Sequence, residues 1–440
     1  MKKLREIKGN ELYYNGFNLK ELAKKYGTPL KITFLDVIKE HILSLKESFD
    51  KAIKKTGYNG KFIYLNANKA NYGKEEIEEA FKYADGLETS SYYDLLLTFK
   101  FFQKYPEFKD KYLVPNGYKP KEYIDEIIKI NGLGYNITDI IDSVNEYEYL
   151  KAKNIKMNVG LRIHVKALYT EEGDVIENDR FGLMPEEIDY ILEDIKNTNL
   201  KLTTIHFHQR GFDYEKDKFE ENFLKVLNVY AKAAKMYDTV SYFDIGGGMP
   251  LPIEEGFNYE EFATYIFETL KKLSKEFGIK EPNIISENGK FSQKDSTVNI
   301  YKVIGIKNTD NYPWNIVDGS LLIALPEMYA LGEPILVMPI NEIGKNEYKA
   351  RLAGVTCDCD DVYYLKDRGY IELPKTDELY IGLIGTGSYQ NSMNGKGGVH
   401  HCLLPEEKDI IIYEENGVYI EKTRHELQTI DDICKIINFK

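Results

Sequence analysis

Lys69 closes an apolar run, Lys61-Phe62-Ile63-Tyr64-Leu65, and sits among amides in Asn66-Ala67-Asn68-Lys69-Ala70-Asn71. The β-branched and aromatic residues make the run a strand. A helix follows from near Lys74, with Ile77, Ala80 and Phe81 on one face. A lysine at the carboxyl end of a parallel strand stands where α/β barrels keep their chemistry. The commonest use of a lysine there is as an amine nucleophile that forms a Schiff base. A solvated loop lysine is the plainer reading, and the rest of the chain must decide between them.

Three further stretches carry chemistry of a matching kind. Phe243-Asp244-Ile245-Gly246-Gly247-Gly248-Met249 ends in three glycines, whose unobstructed backbone N–H groups suit an anion. A tight turn explains one glycine easily and three with difficulty. Ile285-Ser286-Glu287-Asn288-Gly289-Lys290 sets a carboxylate beside that nest, which suits a cationic partner such as a protonated pyridine nitrogen, or else an ordinary surface ion pair. Lys290 can neutralise a phosphate. Ile205-His206-Phe207-His208 places two histidines on one strand face. His208 can stack on a ring; a metal pair lacks acids at ligand spacing nearby, and packed core histidines are the remaining option.

Farther on, Thr356-Cys357-Asp358-Cys359-Asp360-Asp361 offers an acid and carboxylates for a substrate cation. His400-His401-Cys402 does not join these cysteines at any standard zinc spacing. Gly385-Thr386-Gly387-Ser388-Tyr389 is a glycine turn with a phenol beyond it.

The elements that position these residues can be read from the pattern. At 440 residues the chain is too long for one small core, so two domains are expected. Strand candidates end near Asn66, Glu88, Pro115, Asp142, His164, His208, Gly246 and Glu287, with helices such as 75–83, 122–129, 185–195 and 218–237 between them. Eight such alternations predict a (β/α)8 TIM-like barrel. With the anion nest after its seventh strand, the Lys69 reading gains weight. We place the barrel at 36–290, and an antiparallel β domain at 1–35 with 291–440. Strands are expected at 296–306, 349–355, 379–384 and 409–413, and Glu415-Asn416-Gly417-Val418 is a strong hairpin signal.

Composition excludes several classes. The net charge of -13 argues against a nucleic-acid partner and mildly favours a cationic ligand. No apolar run is long enough to span a membrane, and the start lacks the apolar core of a signal peptide. Four cysteines do not make a disulfide framework, so the expected compartment is the cytoplasm.

Together the motifs resemble the fold-type III, pyridoxal phosphate-dependent basic amino-acid decarboxylases. Leu22-Ala23-Lys24-Lys25-Tyr26-Gly27-Thr28-Pro29-Leu30, Asn68-Lys69-Ala70-Asn71, the glycine run, Ser286-Glu287-Asn288-Gly289, the Cys-Asp stretch and Gly387-Ser388-Tyr389 all carry the likeness. Gly86-Leu87-Glu88-Thr89-Ser90-Ser91, Pro115-Asn116-Gly117-Tyr118-Lys119, His206-Phe207-His208 and Gly397-Gly398-Val399-His400-His401-Cys402-Leu403 look like a short form of the arginine decarboxylase branch.

This resemblance implies an alanine racemase-like architecture and a homodimer with active sites shared between subunits. It implies pyridoxal 5'-phosphate as cofactor, with Lys69 as its Schiff-base lysine. Glu88 and Arg162 would lie near that lysine and the cofactor's phenolic oxygen. His208 would stack on the ring, and Glu287 would meet the pyridine nitrogen. Gly246, Gly247 and Gly248 would hold the phosphate, with Gly289, Lys290 and Tyr389 beside them. Cys357 and Asp358 would come from the partner as proton donor and substrate ligand. The implied activity turns arginine into agmatine and carbon dioxide, a reaction of polyamine biosynthesis, and no metal-ligating residue is assigned. Ornithine, lysine or diaminopimelate decarboxylation, or a non-catalytic regulatory role, are the alternatives; a racemase leaves the Cys-Asp motif without use. Two departures bear on cofactor affinity. Lys290 stands where the family has arginine, which loses the guanidinium fork. The serine after the stacking histidine is absent from His208-Gln209-Arg210-Gly211, so Arg210 is the candidate replacement.

Overall fold

The structure is a computed structural model that describes residues 3–165, 180–209, 216–251, 257–309, 311–333, 335–363 and 369–439. The chain forms two compact units: residues 41–292, and residues 1–40 with 293–440.

In the first unit eight strands alternate with helices. They are Phe62–Ala67, Gly86–Thr89, Tyr112–Pro115, Thr138–Ile141, Met157–Arg162, Leu200–His206, Tyr242–Asp244 and Asn283–Glu287. All paired neighbours are parallel, and the eighth strand returns to the first through Glu287 opposite Leu65. Between the third and fourth strands the ring closes through a Leu113–Ile137 bridge and the Leu113 N–H, which donates to Asn136 O at 3.0 Å. Strands covered on both faces can be apolar throughout, and Phe62–Ala67 is buried at every position. Ile63, Leu65, Val114, Ile140 and Ile285 fill the interior.

Serine and asparagine side chains start several of the outer helices. Ser91 Oγ accepts from Asp94 N, Ser143 from Glu146 N, and Asn258 from Glu261 N, each satisfying an end N–H that lacks a helical partner. These caps end short loops, so each chain segment leaves a strand's carboxyl end at a defined place. Three strands stop two residues earlier than the sequence pattern suggested, at Arg162, His206 and Asp244, because the chain beyond them leaves the ladder. Register then aligns Arg162, His206 and Asp244 side by side across three neighbouring strands.

The second unit is a mixed sheet. Its long strand Thr297–Lys307 pairs antiparallel with Leu30–Phe34, Trp314–Val317 and Tyr380–Ile384. The expectation of a wholly antiparallel sheet is corrected at two places. Leu30–Phe34 runs parallel to Lys408–Glu415, and Trp314–Val317 runs parallel to Glu347–Ala353. Both pairings join segments far apart in sequence, so no hairpin forces opposite directions. The expected hairpin forms with Glu415 opposite Val418, and Asn416 (φ 53°) and Gly417 (φ 79°) supply the two positive φ angles of its turn. Among the described residues no helix is long and apolar enough to cross a membrane.

Candidate active site at the barrel strand ends

Lys69 occupies a single 3-10 turn, Asn68–Ala70, directly after the first barrel strand. The turn is pinned from beneath by buried amides. Asn66 Nδ2 donates to Asn68 Oδ1 at 3.0 Å, and Asn68 Nδ2 donates to Thr98 Oγ1 at 2.8 Å. The lysine itself rises from this floor with 40% of its side chain exposed, and its Nζ lies 3.6 Å from Oε1 of the fully buried Glu88. An amine needs this combination to be both oriented and reachable.

Asn116, just past the third strand, bridges two carboxylates. Its Nδ2 donates to Glu88 Oε1 at 3.1 Å and to Glu287 Oε1 at 2.8 Å. Glu287 is 6% exposed, and burial together with the nearby Asp244 raises its carboxyl above the ordinary range. Burial raises Asp244 as well. His206 is fully enclosed, and burial lowers its imidazole to about 4, so it stays neutral. One ligand atom each of His206, Asp244 and Glu287 lies within 4.8 Å of the others. Sequence spacing placed no acid near His206; the barrel register does.

The glycine run shows why it must be glycine. A Cβ on Gly247 would stand 2.2 Å from Glu287 O, and Gly246 and Gly248 have φ of 67° and 94°. Likewise, a Cβ on Gly289 would stand 2.5 Å from Ala67 O. Backbone from the first, seventh and eighth strand ends therefore packs at distances that side chains forbid. Gly247 N–H donates to His208 Nδ1 at 3.1 Å, which leaves the imidazole proton on Nε2. Burial, then the positive charges of Lys69 and Arg162, hold His208 well below its ordinary pKa. Arg162 is anchored by Asp142, with Nη1 3.7 Å from Oδ1, and its guanidinium lies 4.5 Å from the Phe181 ring centre. Lys290 begins the short helix Lys290–Gln293 and is half-buried.

The structure thus gathers Lys69, Glu88, His208, Gly246, Gly247, Glu287 and Gly289 at one end of the barrel, with Arg162 near enough to act on His208 electrostatically. Arg210 and Gly211 lie outside the described residues. Cys357, Asp358 and Tyr389 belong to the mixed-sheet unit. There Asp358 Oδ2 meets His401 Nε2 at 2.8 Å, and Tyr389, in left-handed backbone at φ 61°, starts the turn of helix Gln390–Asn394. Sequence reasoning gave no role to Asn116, Asp244 or His206. Asn116 sits one residue beyond a strand's carboxyl end, which is the signal that finds it.

Residues 103–293 match the model of the pyridoxal-dependent decarboxylase pyridoxal binding domain. That stretch of the barrel is similar to the pyridoxal binding domain of the pyridoxal-dependent decarboxylases. Among curated relatives, the biosynthetic arginine decarboxylase of Prochlorococcus marinus (strain MIT 9515) is 25% identical over 310 residues, covering 66% of this chain and 47% of the relative. The chain therefore spans about half the length of the curated relatives it matches. The crystal structure of the biosynthetic arginine decarboxylase from Campylobacter jejuni superposes with a TM-score of 0.85 at 20% identity, covering 100% of this chain and 91% of that one. Diaminopimelate decarboxylase from M. jannaschii in complex with L-lysine gives a TM-score of 0.79 at 21% identity, over 98% of this chain and 96% of that one. These superpositions establish the alanine racemase-like fold.

Pyridoxal phosphate is the cofactor of this domain, and the residues present fit it. Glu88 Oε2 and Asn116 Oδ1 are buried atoms with no hydrogen-bond partner among the described residues. Buried polar atoms are normally satisfied. Unpaired acceptors around a lysine suit a polar, partly cationic group. In the glycine run beside them, the Gly246 N–H donates to Asp244 Oδ1 at 2.9 Å and the Gly247 N–H to His208 Nδ1 at 3.1 Å.

Proposed function

We propose that this chain decarboxylates a basic amino acid with pyridoxal phosphate, with arginine as substrate and agmatine and carbon dioxide as products. The observation that carries the proposal is the pair of buried carboxylates, Glu88 and Glu287, held by one amide beside the raised amine of Lys69. Curated arginine decarboxylases at about 25% identity support the choice of substrate.

The cofactor, when bound, supplies an electron sink for the pair left behind by departing carbon dioxide. The chain supplies the rest. Lys69 provides the amine that bonds the cofactor, and Glu88 orients that amine. Glu287 is buried, so it favours a proton or a cation beside it and would keep the pyridine nitrogen protonated. Neutral His208 offers a flat face without adding a charge. Gly246, Gly247, Gly248 and Gly289 would let the phosphate approach closely, with Lys290 and Tyr389 beside it, and Arg162 would lie near the phenolic oxygen. Cys357 delivers a proton to the substrate carbon, and Asp358 takes the substrate's cationic end. These last residues act across a homodimer in which one subunit completes the other's site.

The test is release of carbon dioxide from a panel of basic amino acids by purified protein loaded with cofactor. Arginine should lead. Preferred turnover of ornithine, lysine or diaminopimelate would reassign the substrate, and no release from any would leave a non-catalytic homologue.

A further inference from the structure

Cys357 and Cys402 are 45 positions apart in sequence, yet their Sγ atoms lie 3.7 Å apart and both residues are exposed. The approach is one of two adjacent contacts. The neighbouring residues, Asp358 and His401, meet at 2.8 Å through Oδ2 and Nε2. Two consecutive residues thus face two consecutive residues. Cys402 and Leu403 take left-handed backbone at φ 56° and 54°, which non-glycine residues seldom adopt without a local reason. The segment before them contains Gly395, Gly397 and Gly398, with φ of 83° and 68° at the first two. Such backbone can give by the ångström or two that separates van der Waals contact from a bond of about 2.05 Å.

We propose that Cys357 and Cys402 form a thiol-pair modification site, which hydroperoxides oxidise to a reversible disulfide. In the first step one peroxide oxygen transfers to Cys357 sulfur to give a sulfenic acid, and the other leaves as water from hydrogen peroxide or as the alcohol of an organic hydroperoxide. In the second, Cys402 sulfur displaces the sulfenic oxygen, which leaves as water with the Cys402 proton. Two electrons pass from the thiol pair to the peroxide. Thiols return the pair to the reduced state by exchange. The consequence for activity rests on the proposed role of Cys357: a disulfide has no proton to deliver.

The test uses the cofactor-loaded protein, hydrogen peroxide and peptide mapping. Free thiols should fall from four to two, with Cys357 and Cys402 in one cross-linked peptide and Cys359 and Cys434 still free. Dithiothreitol should restore all four and the turnover lost with them. Cys402→Ser should keep its basal turnover and show neither the cross-link nor a dithiothreitol-reversible loss. A Cys357–Cys359 link, or sulfonate on Cys357 with the Cys402 thiol intact, would overturn the proposal. So would stoichiometric zinc that shields both thiols from alkylation. A Cys357–Cys402 cross-link with undiminished turnover would keep the site and remove Cys357 from the reaction, so the two readings fail separately.

Discussion

Glu88 and Glu287, from the second and eighth barrel strands, accept hydrogen bonds from one and the same nitrogen, Asn116 Nδ2, at 3.1 and 2.8 Å. Neither carboxylate is more than 6% exposed. Two buried carboxyl groups held this way repel each other unless a proton or cation lies between or beside them. Lys69, 3.6 Å from Glu88, meets part of that demand. The rest falls on the side of Glu287, where Asp244 adds a further acid and neutral His206 offers no charge.

Asn116 should matter to folding and to cofactor binding alike. Asn116→Ala removes the amide that bonds both carboxylates and leaves each short of one donor. A loss of about 1–3 kcal/mol is expected for leaving such a buried group unsatisfied. Chemical denaturation of the cofactor-free protein reads the stability, and a cofactor titration followed by absorbance should show weaker binding. Unchanged values in both would remove Asn116 from the site.

The raised carboxyl of Glu287 sets a pH dependence of known sign. In the cofactor-free fold it keeps its proton up to about 8, whereas the unfolded chain loses it near the ordinary glutamate value of 4.5. The folded chain therefore binds more protons across that window, and its stability falls as pH rises through it. Glu287→Gln removes this titration and still accepts from Asn116. The variant should gain on wild type between pH 5 and 8 by on the order of a few kcal/mol, as read by thermal melts at several pH values. Loaded with cofactor, the same variant should lose roughly 3 kcal/mol of transition-state stabilisation, the scale of one preorganised electrostatic partner. Near wild-type turnover would separate Glu287 from the chemistry.

The barrel was legible because its signals are local. Strands of β-branched and aromatic residues alternate with amphipathic helices, and the residues at strand ends, Lys69, Glu88 and Glu287, fall where chemistry is expected. The Asn416-Gly417 hairpin was legible for the same reason: two residues determine it. The strands Trp314–Val317, Leu336–Pro339 and Ile371–Pro374 were not read, since four residues are too few to show a period. Nor were the parallel pairings of Leu30–Phe34 and Trp314–Val317, which depend on partners distant in sequence. Within the site, Asn116, Asp244 and His206 gain meaning only from neighbours on other strands, and residue type alone does not report that distance.

Lys69 is the amine expected to bond the cofactor, since it alone among the described lysines stands on the turn after the first strand beside Glu88. Borohydride reduction of the loaded protein followed by peptide mapping should leave the cofactor on Lys69. Label on any other lysine would sink the assignment.

Gly247 tests the anion cradle. A methyl group there would stand 2.2 Å from Glu287 O and 3.6 Å from His208 Cε1, so Gly247→Ala must push the seventh and eighth strand ends apart. Backbone is not a flexible neighbour, so the shift should reach both Glu287 and His208. Cofactor affinity is expected to fall at least tenfold, about 1.4 kcal/mol, because the cradle is fixed backbone. Equilibrium dialysis measures it. A folded variant that binds as wild type would place the phosphate elsewhere.

The proposed shared site makes the most demanding prediction. Lys69, His208 and Glu287 belong to the barrel unit, whereas Cys357 and Asp358 belong to the mixed-sheet unit. If one subunit's Cys357 serves the other subunit's Lys69, two dead variants complement each other. Lys69→Ala keeps a working Cys357, and Cys357→Ala keeps a working Lys69. After random subunit exchange about half the dimers are hybrids, and by two-fold symmetry each hybrid has one intact site and one doubly damaged site. About a quarter of wild-type turnover should then return, as measured by carbon dioxide release after mixing. Exchange itself is checked with differently tagged copies. Demonstrated exchange without recovery would mean that each site is built from a single chain.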